Sequence, residues 1–162
     1  MPISVKRVRQ LFGYDPETGK CWWKVSISNK IPVGLEAGTD DKGYRRVMVD
    51  GKSYYVHVLA WVIVTGDFPK VPIDHRDLDK SNNRWNNLRK SNNSLNTANR
   101  SKSVANTSRY KGVGWHFPQG KWRADITVNK RKKFLGCFDT KVLAAAAYAK
   151  AAQAIFGEFA RT

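Results

Sequence analysis

Between Ser91 and Ser108 the chain carries twelve Asn, Ser and Thr among 18 residues, with Arg100 and Lys102 and no acidic side chain. Such a stretch offers little to a hydrophobic core, and its short polar side chains compete with helix and strand ladders for backbone hydrogen bonds. It reads as the end of one packed unit and the start of a linker. The 162 residues therefore divide into two small units rather than forming one core. The expected boundaries are 1–98 for the first unit, 99–108 for the linker and 109–162 for the second. Six Trp, six Tyr and seven Phe within a 41% hydrophobic composition are enough to pack both.

Charge follows the same division. Eighteen basic and ten acidic residues precede Ser108, and eleven basic and three acidic follow it, so each part contributes +8 to a net charge of +16. A compact chain with that charge repels itself, and a polyanionic partner is the natural counterweight. No run of about 20 apolar residues occurs, and no amphipathic stretch has a basic face. Nucleic acid is therefore favoured over a membrane. Cys21 and Cys137 lie far apart and form no metal pattern, which fits free thiols in a reducing compartment. "MPISVKRVRQLFGYD" lacks the apolar run of a secretory leader, so the expected location is the cytoplasm.

In the first unit, turn signals separate short β-like runs. "DPETGK" precedes "CWWKV", and "YRRVMV", Asp50-Gly51 and "SYYVHV" read as a β-hairpin on a favoured two-residue turn. "HVLAWVIVTG" reads as a short buried helix closing on Gly66, with His57 as a core histidine. Then "IDHRDLDKSNNRWNNLRKSNNSLN" gathers one His, three Asp and seven Asn into 24 residues. Asp74 and His75 are adjacent, so on an extended chain they face opposite ways. One can hold a metal while the other reaches a water. Asn carbonyls are hard oxygen ligands for Mg²⁺ or Mn²⁺ that add no negative charge, which suits an anionic substrate. A histidine base and one such metal cover both needs of phosphodiester hydrolysis.

The pattern Asp74-His75, then "NNLR" (Asn86 to Arg89), then Asn96 resembles the HNH endonucleases, specifically the homing type of phages. The resemblance implies a ββα-metal active site. By position, His75 would be the general base, Asp74 and Asn96 the ligands of a divalent metal, Mg²⁺ or Mn²⁺, and Asn87 the brace of the loop between the two strands. The core of the site would span about residues 70–98. "YYVHVLAWVIVTGDFP" resembles the segment leading into that site, except that Val58 stands where the family usually has arginine.

Beyond Ser108 the texture changes. "KGVGWHF", "KWRADITV" and "KKFLGCF" read as three strands, and "DTKVLAAAAYAKAAQAIFG" as a helix capped by Asp139 or Thr140 and by Gly157. Leu143, Tyr148 and Phe156 are its expected large contacts with the sheet. Alternation places Lys121, Arg123 and Asp125 on one face and Trp122, Ala124 and Ile126 on the other. The landmarks "YKGV", "GKWRADI", "FLGCFDT" and "FGEFA" resemble the plant APETALA/ethylene-response-factor DNA-binding domain, also found in phage homing endonucleases. That likeness implies a sheet lying in the major groove. Gly114 and His116 stand where plant members usually have arginines, so the plant sequence preference does not transfer. Candidate DNA contacts are Lys111, Trp115, Arg123, Lys130, Arg131, Lys132 and Lys133 here, with Arg45, Arg46, Arg89 and Arg100 upstream.

The expected fold is therefore α+β: an N-terminal HNH unit with a ββα-metal site, a linker, and a C-terminal three-stranded antiparallel sheet packed on one helix. The expected activity is metal-dependent, site-specific cleavage of double-stranded DNA, with the oligomeric state left open and a monomer slightly favoured. A DNA-binding regulator with an inactive nuclease unit is the alternative. An RNA-binding protein shares the charge, but the aromatic sheet motifs of common RNA modules are missing.

Overall fold

The computed structural model describes residues 3–92, 95, 96, 99 and 106–160. The architecture is mixed α and β, and contacts divide the chain into two units, residues 1–91 and 92–162. Arg100 lies outside the described residues. Among those described, no helix is long and apolar enough to cross a membrane.

The first unit opens with α1 (Val5–Leu11), capped by Ser4, whose hydroxyl accepts from the Arg7 amide at 3.1 Å. A hairpin of β1 (Phe12–Tyr14) and β2 (Cys21–Trp23) follows. Asp15 shapes its loop by accepting from the Glu17 amide and the Thr18 hydroxyl at 2.9 and 2.6 Å. Next come β3 (Thr39–Asp41), β4 (Tyr44–Val49) and β5 (Lys52–Tyr55) in one antiparallel sheet. Asp50 and Gly51 both have positive φ, as the predicted tight hairpin turn requires.

The second hairpin strand is shorter than its sequence suggests. "SYYVHV" stops being a strand at Tyr55, and α2 (Val56–Thr65) begins at once. Val56, Leu59 and Ala60 are buried at helical spacing, and that burial outweighs the β preference of the valines. Gly66 ends α2 in the left-handed region, its amide bonded to Val62 O at 2.9 Å. Val8, Leu11, Phe12, Trp23, Val47, Leu59 and Val62 form the core. Cys21 joins them as a free thiol, and burial pushes its pKa up to about 12, which leaves it inert. Two three-residue strands, β6 (Ile73–His75) and β7 (Leu88–Lys90), then pair antiparallel.

In the second unit, β8 (Val113–His116), β9 (Lys121–Val128) and β10 (Arg131–Phe138) form an antiparallel sheet with β9 central. Helix α3 (Lys141–Phe156) covers one face. Thr140, rather than Asp139, caps it by accepting from the Leu143 amide. Ala144, Tyr148, Ala152 and Phe156 recur every fourth residue and are buried, with Val113, Ala124 and Ile126 among the buried strand residues. Leu143 is one position off that stripe and is 53% exposed, so it is not the core contact expected of it.

Gly112 fixes the approach of this helix to the sheet. Its φ is +69°, and a Cβ there would overlap the Tyr148 ring and come 2.5 Å from Asp125 O. The Gly112 carbonyl also accepts from the Asp125 amide at 2.8 Å. Gly112→Ala is expected to destabilise the second unit by about 2–4 kcal/mol, combining backbone strain with forced displacement of Tyr148. Urea unfolding followed by circular dichroism measures it.

Candidate active site

Strands β6 and β7 hold the Asp-His pair. Asp74 lies opposite Arg89 and His75 opposite Leu88. Arg89 donates to Asp74 Oδ2 through Nε at 3.2 Å and Nη2 at 3.1 Å, and its side chain is only 5% exposed. Arg89 is therefore turned inward by its cross-strand carboxylate and is not offered to DNA as expected. His75 points the other way and is buried. Its Nε2 lies 3.1 Å from Asn83 Oδ1.

The loop from Arg76 to Asn87 is held from within. Asn87 Oδ1 accepts from the Asp77 amide at 3.1 Å, and Asn87 Nδ2 donates to Asp77 Oδ1 at 2.9 Å and to Asn82 O at 2.8 Å. Asn82 Nδ2 reaches Asp77 Oδ2 at 2.6 Å. Burial opposes ionisation of Asp77, but the hydrogen bonds from Asn82, Asn87 and the Asp79 amide outweigh it and hold the carboxyl below the usual range. From behind, the β1–β2 loop supports this one. Trp85 N donates to Pro16 O, Arg84 Nε to Glu17 O, both at 2.9 Å, and Tyr14 OH to Asn83 O at 2.7 Å. Trp85 also packs on Trp61 of α2, ring centres 5.0 Å apart.

Three further rings stand near His75. Those of His57 and Tyr44 are 5.0 and 6.0 Å away, and Tyr55 stacks on His57 at 5.4 Å. His57 is buried as expected, but its Nδ1 has no hydrogen-bond partner among the described residues. Burial, and then the nearby His75, push its pKa down to about 3, so it stays neutral.

Asn96 is described in the second unit, in a helical turn opened by Asn92, whose side chain accepts from the Leu95 amide at 2.9 Å. Asn96 Oδ1 is buried without a hydrogen-bond partner among the described residues. An orphaned carboxamide oxygen has the chemistry of a ligand to a hard cation. No cluster of three or more His, Cys, Asp and Glu is placed for a metal among the described residues.

Residues 54–98 match the HNH endonuclease family. No curated protein and no solved structure matches the chain. The HNH match contains α2, both strands of the Asp-His pair and the braced loop. Asn83 was not singled out by sequence, because nothing separates it from its six neighbouring asparagines until the fold turns it towards His75.

Of the other expected contacts, Arg45 donates to Gly38 O at 2.6 Å and pairs with Glu36, and Arg46 pairs with Asp41 at 2.9 Å. In the second unit Arg123 and Lys132 both bind Asp125, at 2.8 and 3.2 Å. Trp115 pairs with Trp122, which shares the α3 side of the sheet with Ala124 and Ile126. Its ring therefore does not share the face of Arg123, since alternate residues point oppositely. Lys111 is half-buried in a turn, Lys130 occupies the β9–β10 turn with positive φ, and Arg131 and Lys133 are exposed on β10. Phe134, not predicted, is 54% exposed opposite Asp125, with Arg123 5.1 Å above its ring.

Asn87→Ala should cost about 1–3 kcal/mol, because it strips partners from Asp77 and from Asn82 O. The folded pKa of Asp77 lies below its unfolded value. The stability it contributes is present above the ordinary aspartate pKa of about 3.9 and is lost as pH falls through the folded pKa. Urea midpoints measured against pH should therefore decline below about pH 4, with a shallower decline in Asn87→Ala.

Proposed function

We propose that the chain is a metal-dependent, site-specific DNA endonuclease of the homing kind, acting on double-stranded DNA in the cytoplasm of a phage-infected bacterium. The observation that carries this reading is the fixed His75 imidazole beside Asp74, inside the segment that matches the HNH family.

In this reading His75 is the general base. Asn83 orients its ring, and the imidazole withdraws a proton from water as the oxygen attacks the scissile phosphorus. Asp74 and Asn96 are the residues that would hold a divalent cation. Such a cation, when bound, neutralises charge growing on the leaving oxygen. Arg89 fixes the orientation of the Asp74 carboxylate, as second-layer partners of metal ligands do. Asn87 keeps the loop closed so that Asn83 stays against His75. The second unit, whose sequence resembles a plant-type DNA-binding domain, would supply base readout through the sheet face of Arg123, Lys132 and Phe134, and a two-module arrangement raises the effective concentration of the nuclease at its target.

Cleavage of phage and host genomic DNA with Mg²⁺ or Mn²⁺ tests the reading. Discrete nicks or breaks are expected that disappear with EDTA and fall by about 10²–10⁴-fold in His75→Ala. Tight binding with no cut from any DNA offered, in either metal, favours the regulator instead.

A further inference from the structure

His57 enters the neighbourhood of His75 from a different part of the fold than the braced loop does. It lies in the first turn of α2 and is 7% exposed. The two imidazoles meet nearly perpendicular, at 81° with centres 5.0 Å apart. Tyr55 stacks on His57 at an interplanar angle of 12°, and Tyr44 touches both histidines at 5.5 and 6.0 Å. Tyr44 is itself located by Lys80, whose ammonium lies 4.8 Å from its ring centre and donates to Lys42 O at 3.2 Å. His75 is thus bounded by a carboxamide at one nitrogen and by two fixed rings.

As a plain core residue His57 is a poor choice. Its Nδ1 is buried with no hydrogen-bond partner among the described residues, a condition that disfavours the folded state. An aliphatic side chain of similar volume would fill the same space without that penalty. What an aliphatic group lacks is a flat ring that can meet a partner ring edge to face. Burial keeps His57 neutral.

Resting on the HNH nuclease reading, we propose that His57 is a positioning residue for His75: its ring fixes the plane of the general base. Its contribution is made by the ring and not by a hydrogen bond.

The test is single-turnover cleavage by the full chain with Mg²⁺ for the wild type, His57→Leu, His57→Met and His57→Phe, alongside DNA affinity and urea unfolding. The two aliphatic variants are expected to fold with near-wild-type stability and bind DNA unchanged, yet cleave roughly ten- to a hundredfold more slowly through misplacement of the base. His57→Phe should recover most of that rate. Wild-type rates in a folded aliphatic variant would overturn the proposal, and so would a loss in His57→Phe equal to that in His57→Leu. Should both aliphatic variants fail to fold, His57→Phe decides alone: near-wild-type cleavage sustains the ring's role and a hundredfold loss removes it. If wild type cuts nothing and His75→Ala behaves identically, the nuclease reading itself has failed, which is a different result.

Discussion

The carboxamide of Asn87 holds together a part of the molecule that has little else to hold it. Strands β6 and β7 are three residues each, too short to be stable as an isolated hairpin, and the chain between them is polar. Asn87 spans that chain by satisfying Asp77 and Asn82 together. The carboxamide that meets His75 is held by this bond set or propped behind it. Asn83 follows Asn82, and Trp85 carries the loop onto α2 through Trp61. The hydrophobic core thus reaches the loop by way of α2 and one indole pair.

Much of this was legible in the sequence, for identifiable reasons. Asp50-Gly51 predicted a turn because few dipeptides tolerate two positive φ values, and the structure has both there. The alanine-rich helix was clear from propensity and caps, and its N-cap resolved to Thr140. The Asp-His pair and Asn87 stood out because polar residues at fixed spacing in a basic chain are unusual. What failed did so where a neighbour across the fold decides the outcome. Arg89 looks like a DNA contact until β-pairing sets Asp74 opposite it. Leu143 looks like core until the period of four through Ala144, Tyr148, Ala152 and Phe156 excludes it.

His57 shows the same limit from the other direction. A histidine in an apolar run reads as core, and burial agrees. Its contact with His75 joins residues eighteen positions apart, and no local pattern encodes that meeting.

The double hold of Asp125 on Arg123 and Lys132 has a bearing on how the second unit meets a polyanion. Lys121 is likewise paired with Asp139 at 3.1 Å. Three cations of this unit therefore already have an internal carboxylate, so each condenses fewer free anions and has fewer counterions to exchange at a phosphate. Affinity that arises from counterion release scales with the phosphates newly neutralised, not with formal charge. The count of 29 Lys and Arg thus overstates the cations available to phosphate, and a larger share of any binding by this face falls to its geometry.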